Sequence, residues 1–167
     1  MAREYVLSAN TVTMAAQAVT LVYFQVMSSA PITAIEVLRA YASQKGTSTS
    51  GMIAVQLNTQ VSAFPTLTSQ APAKTKAGDP VSLITGGTAG AAGTSGINAS
   101  AEGAGSKTVL YPDNFNVLNG WLWVPTPNET IIETPQATAH GFGLHFPTSL
   151  AGATTNWSGG LVIRELG

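Results

Sequence analysis

The sequence predicts an all-β chain folded as one antiparallel β-sandwich of the jelly-roll kind, and three observations predict it. Short β-like runs, about eight or nine of them, recur with turn signals between them. The stretch 114–134 (NFNVLNGWLWVPTPNETIIET) puts Trp121 and Trp123 on one strand face and Leu122 and Val124 on the other. Both faces are then apolar, as in a strand in the middle of a sandwich. Helical spacing competes in one stretch alone, 32–42. The 167 residues read as a single domain with a short N-terminal segment over 1–9 and a flexible Gly/Ala-rich loop over 86–106.

The elements follow in order. Residues 5–7 and 11–14 are short β-like pieces parted by the turn-friendly Ser8-Ala9-Asn10. Residues 19–27 form the strongest early strand, with Leu21 and Tyr23 on one face and Val22, Phe24 and Val26 on the other, and 28–31 break it. In 32–42, Ile32, Ile35 and Leu38 keep a helical spacing. Ile35, Val37 and Tyr41 share a strand face interrupted by Arg39, and no N-cap or acidic first turn marks a helix start, so the stretch reads as strand. A loop over 45–51 leads to 52–59, where Ile53, Val55 and Leu57 alternate with Gln56 and Asn58, predicting one buried and one solvated face.

Between 61 and 80 the pattern dissolves into Pro, Ser, Thr and Ala, long for a connection without structure of its own. A short strand is expected over 81–85. The glycines at 87, 90 and 93 within 86–106 do not make a dinucleotide fingerprint, and no phosphate loop is present, so this part reads as a flexible loop or hairpin tip. Residues 108–111 lead into the Trp-Pro stretch, whose second β-rich run is 130–132. His140 falls in a loop, and Phe142, Leu144 and Phe146 then alternate with Gly141, Gly143 and His145. After a loop over 147–156, Leu161 and Ile163 face one way and Val162, Arg164 and Leu166 the other.

Composition excludes several roles. Charged residues are 9% of the chain and the net charge is −1, against roughly 25% charged residues in an ordinary soluble domain. A surface so poor in charge is easier to understand when neighbours cover much of it, or when the protein works outside the cell. The seven basic residues (Arg3, Arg39, Lys45, Lys74, Lys76, Lys107, Arg164) are scattered, so no stripe could neutralise a run of phosphates and no nucleic-acid partner is expected. The absence of cysteine removes thiol chemistry and cysteine zinc sites. No apolar region follows Arg3 and Glu4, and no run has the ~18 apolar residues of a membrane helix, so neither a signal peptide nor a membrane partner is expected. The N-x-[ST] matches at Asn98, Asn128 and Asn156 carry no weight without a secretory route.

The chemistry that could be assembled is thin. Within one strand His140 and His145 would face opposite ways, but His140 falls in a loop, and each reads as a surface or strand-edge residue; a metal would need distant carboxylates. No nucleophile elbow accompanies the many serines and threonines. Glu129 and Glu133 are the best pair for glycoside chemistry, but Glu133 alternates with Ile131 as an ordinary strand residue would. Trp121, Trp123 and Trp157 could stack on a sugar, although their Leu and Val neighbours favour a core. No catalytic residue and no cofactor is therefore expected.

The segments FNVLNGWLWVPTPNETI, GFGLHF and WSGGLVIREL, the last with Trp157, Gly159 and Glu165, together resemble small jelly-roll head-decoration (capsid auxiliary) proteins of tailed bacteriophages. The likeness is one of feature order along most of the chain. It implies a non-enzymatic protein present in many copies on the outer surface of the virion, a homotrimer that binds the major capsid protein and cements it. It would be made in the host cytoplasm. On this reading Arg3, Glu4 and Tyr5 and the loop carrying Phe64, Lys74 and Lys76 face the partner, and the tryptophan face is core. A tail or fibre component and a carbohydrate-binding sandwich are the alternatives.

Overall fold

A computed structural model describes residues 2–14, 19–26, 28, 34–46, 50–88, 91–138, 140–148 and 156–167. Strands β1 (Arg3–Val12), β2 (Val19–Gln25), β3 (Ile35–Gln44) and β4 (Met52–Val61) come first. The small strands β5 (Thr66–Ser69), β6 (Ala73–Lys74) and β7 (Thr85–Gly86) precede β8 (Thr94–Ala101) and β9 (Ser106–Asn116). Then come β10 (Trp121–Trp123), β11 (Ile131–Glu133), β12 (His140–Phe146) and β13 (Trp157–Glu165). No helix occurs among the described residues. Of the expected features, Ile32, Pro31, Met27, Gly90, the centre of the 45–51 loop and most of the 147–156 loop lie outside them.

Two sheets pack into the expected sandwich. One runs β10-β3-β13-β1-β6 with β11 also on β3, and the other runs β5-β8-β2-β12-β4-β9 with β7 on β8. The pairing is nested: β1 with β13, β2 with β12, β3 with β10 and β11, β4 with β9. The two halves of the chain thus form one long hairpin, rolled so that β1 to β4 alternate between sheets. Every one of these pairs is antiparallel; β7 beside β8 is parallel. The core lies between the sheets and includes Tyr5, Leu7, Leu21, Phe24, Val37, Leu57, Phe142, Phe146 and Trp157, all fully buried. The ring of Trp157 on β13 packs 5.0 Å from Phe146 and edge-on to Phe115, which joins the two sheets through aromatic contact.

Several expectations are corrected, most of them by bulges. An extra residue in a strand reverses the facing of everything beyond it. Leu21 is that residue in β2, since Leu144 pairs with Val22 and His145 with Thr20. It therefore faces β13, where a Cβ on Gly159 would meet it at 2.6 Å, while Tyr23 faces outward. Leu38 does the same in β3, so Ala40 and Ala42 join Ile35 and Val37 in the core and Tyr41 turns outward beneath the Arg39 guanidinium. Residues 8–10 are not a turn: β1 runs through them, absorbing the irregularity before Val12 with Thr11 at φ 53°. The N-terminal segment is consequently not free, because β1 is an inner strand held by β13 on one side and β6 on the other.

The Gly/Ala-rich stretch is not a flexible loop throughout. Its centre is β8, hydrogen-bonded to β2 and β5. A Cβ on Gly96 would stand 2.6 Å from Thr68 O, so smallness there serves close packing. Of the 81–85 strand, only Thr85 belongs to β7, and Val81 is exposed. The Trp strand lies at a sheet edge and not in the middle: Trp121 and Trp123 point inward while Leu122 is 64% exposed.

Candidate functional site

The polar residues that sequence placed at the surface form two buried groups on the β2–β12–β4 sheet. On its outer face, Asn58, Gln60 and His145 are all buried, where Asn58 was expected in solvent and His145 at a surface or edge. Loops cover them: Gly103 and Gly105 lie so close to the backbone of 61–64 that a Cβ on either would meet a carbonyl oxygen. Gly141 and Gly143 give β12 a flat outer face on which the Tyr23 ring lies, with Phe64 packed at 5.9 Å from that ring. Gly143→Ala is expected to cost about 1 kcal/mol by overpacking. The new Cβ would stand 3.0 Å from Tyr23 Cδ2 and 3.2 Å from Val22 O. Urea denaturation checks this, and an unchanged midpoint would contradict the packing described.

Glu102 organises this layer. Its carboxylate accepts hydrogen bonds from Thr20 N, Thr20 Oγ1 and Lys107 Nζ, and lies 3.3 Å from His145 Nδ1. Burial pushes the carboxyl up, but the bonds from His145, Lys107 and Thr20 outweigh it and hold it down at about 2. Thr20, His145 and Glu102 are the residue types of a hydrolytic triad, yet their geometry is not one. The hydroxyl (3.2 Å) and the carboxylate both meet Nδ1, so the ring cannot pass a proton from one to the other through its two nitrogens. The arrangement is a structural clasp.

The second group lies where the sheets meet. Glu133 on β11 reaches His140 on β12, with Oε2 3.0 Å from Nε2, and both side chains are more than nine-tenths buried. The N–H direction is not aligned for a hydrogen bond despite that distance. Burial pushes the Glu133 carboxyl up, and His140 pulls it back in part. A pocket of about 210 Å³ adjoins the pair, lined also by Thr59, Val61, Gln136 and Thr138. His140 is thus the first residue of a strand and buried, correcting its placement in a surface loop.

Comparison with known protein families, characterised proteins and solved structures finds no match to this chain.

The residues expected to face a partner are only partly together. Lys74 pairs with Tyr5 across β6 and β1, and Thr75 N donates to Glu4 O, so Arg3, Glu4, Lys74 and Lys76 gather at one sheet edge. Lys74 and Lys76 are exposed. Tyr5 is corrected: it is fully buried, with its hydroxyl donating to Pro80 O. Glu4 takes part in a ladder in which Arg164 donates to Glu4 at 2.8 Å and to Glu36 at 2.9 Å. Phe64 lies away from this edge, half-buried on the outer face of the other sheet.

The remaining candidates separate as well. Glu129 is exposed and accepts from Tyr111 and Thr126, whereas Glu133 turns inward, so they do not face one substrate. Trp121, Trp123 and Trp157 are at most 8% exposed, which leaves no tryptophan platform for a sugar. Among the described residues no three His, Asp or Glu side chains cluster as metal ligands would. The surface that sequence reasoning missed is the flank where β9 and β10 come together. There Trp121 donates to Asp113, and Tyr111 packs edge-on against Trp123 at 5.4 Å. This flank exposes apolar side chains, with Leu122, Val124, Ile132, Val109 and Leu110 each at least 40% exposed, beside the exposed polar residues Thr108, Asp113 and Asn114 of β9.

Proposed function

We propose that the chain is a non-enzymatic virion structural protein, a capsid decoration protein. It would bind the major capsid protein on the outer surface of a phage head as a homotrimer and stabilise the shell. The observation that carries the reading is the charge-poor sandwich whose flanking edge strands present Leu122, Val124 and Ile132 at 64%, 58% and 48% exposure. Large apolar side chains exposed along a sheet edge suit contact with a partner, and edge strands left open invite another chain. The nested strand order supports the jelly-roll reading, an architecture common in viral capsid domains. Many weak contacts repeated over a shell add up without any single strong interface.

The test is quantitative mass spectrometry of purified particles, giving the ratio of this chain to the major shell protein. We expect a ratio of the order of one per shell subunit. A few copies per particle would move the protein to the tail or a vertex, and complete absence would overturn the virion reading. The mass of the free protein in solution, by light scattering, checks the trimer.

A further inference from the structure

Beside the pocket, Glu133 and His140 approach closely without an aligned hydrogen bond between them. His140 Nδ1 lies 3.4 Å from Thr138 O, and a carbonyl oxygen can only accept, so this contact is a hydrogen bond when the ring proton is on Nδ1. In the neutral ring Nε2 then presents a lone pair, 3.0 Å from the lone pairs of Glu133 Oε2, without an aligned hydrogen bond between them. Two buried acceptors this close repel unless something positive and donor-rich stands with them. A proton on Nε2, which makes the pair attractive and draws the Glu133 carboxyl down, is one solution, and a ligand's donors are another. The pocket is lined further by Thr59, Gln136 and Thr138, residue types that carry oxygen acceptors, and by Val61, 39% exposed.

We propose that this pocket binds a primary ammonium group, which donates to the Glu133 carboxylate and to His140 Nε2 while its hydrocarbon stem lies along Val61. A compact ammonium has three donors that can point to separate acceptors, whereas a planar guanidinium forked onto the carboxylate would leave Nε2 unmet. A metal ion is less well served, because the pair has no third His, Asp or Glu side chain beside it among the described residues. The ligand is either a free alkylamine or a lysine side chain of another protein, and the inference is independent of the capsid reading.

The ammonium takes the place of a proton on the pair, so its binding strengthens as pH rises. The titratable groups around the pocket are Glu133 on β11, His140 on β12 and, within reach of the Glu133 charge, Tyr23 on β2; β4 contributes Thr59 and Val61, which do not titrate.

The experiment is an NMR titration of the full chain, following the His140 ring signals with n-butylammonium at about pH 8 and about pH 5. Saturable shifts are expected at the higher pH, with a loss of affinity at the lower pH because a proton on Glu133, whose carboxyl burial pushes up, competes. Two probes serve as controls, n-butanol without the charge and tetramethylammonium without N–H donors, and neither should move the signals. Equal response to a control, no saturable response, or binding that does not weaken at low pH would overturn the proposal. Glu133→Gln should abolish the response, but the wild-type probes decide the matter even if that variant does not fold. A backbone-capped lysine probe distinguishes the sources: tighter binding than butylammonium points to a protein lysine, and weaker binding to a free amine.

Discussion

Replacing Glu102 by glutamine is expected to lower stability at neutral pH by about 3 kcal/mol, the equivalent of a carboxyl held at about 2 against an ordinary value near 4.5. Glutamine keeps the shape and can still accept from Thr20, but it leaves Lys107 and His145 without the charge they surround. The folded-state value is depressed, so Glu102's contribution is present above its unfolded value, near pH 4.5, and is lost as pH falls toward 2. Wild type and Glu102→Gln should therefore differ most at neutral pH and converge in acid. Glu133 runs the other way: its folded-state value is raised, so protonation favours the folded form, and this contribution is lost as pH rises through the folded value. It does not mimic the acid limb assigned to Glu102. Urea denaturation of both proteins across the acid range is the measurement, and a difference independent of pH would show that the clasp is not electrostatic.

Trp157→Ala is expected to cost roughly 3–5 kcal/mol, the usual penalty for emptying a large aromatic site in a core that cannot collapse around it. The indole is fully buried and touches Phe146 and Phe115, so its loss opens a void between the sheets at the point where they share aromatic packing. Domains of this size are usually stable by only about 5–15 kcal/mol, so the variant should be close to unfolding at body temperature. Trp157→Phe should recover a large part of the loss. Trp121 offers the internal comparison: it sits on a three-residue edge strand at 8% exposure, and its truncation should cost less. Denaturation midpoints that rank Trp121→Ala as equal to or worse than Trp157→Ala would contradict this account of the core.

The class of fold was legible because it rests on residue types and alternation. Phe142, Leu144 and Phe146 really do line one face of β12, and Val55 and Leu57 one face of β4. What was not legible came from single extra residues. Leu21 and Leu38 look like any other strand residue, yet each turns the following side chains to the other sheet face. β8 escaped because Thr94–Ala101 has a single large apolar side chain, Ile97, and its smallness reads as mobility until the backbone at Thr68 is placed against it. The two histidines were misplaced for a related reason. Polar residues read as exposed when their partners are unknown, and Glu102 and Glu133 are brought to them only by the sheets. A hint existed in Gly141 and Gly143 flanking a histidine strand, since a strand with glycines on one face must have something lying against it.

Pairing the first long strand with the last has a consequence for how the molecule forms. β1 meets β13 along nearly its whole length, from Arg3 opposite Glu165 to Val12 opposite Trp157. The middle of one sheet therefore closes a loop that contains almost all of the intervening chain, which places the protein among slow, high-contact-order folders in the range of roughly milliseconds to seconds. On a ribosome adding about 5–20 residues per second, β1 emerges many seconds before its main partner exists. During that interval Tyr5 and Leu7 have no sheet to enter, and the half-made chain carries an open strand that any neighbour could take. Its assembly is finished from the C-terminal side, by the arrival of one strand between two that have been waiting for it.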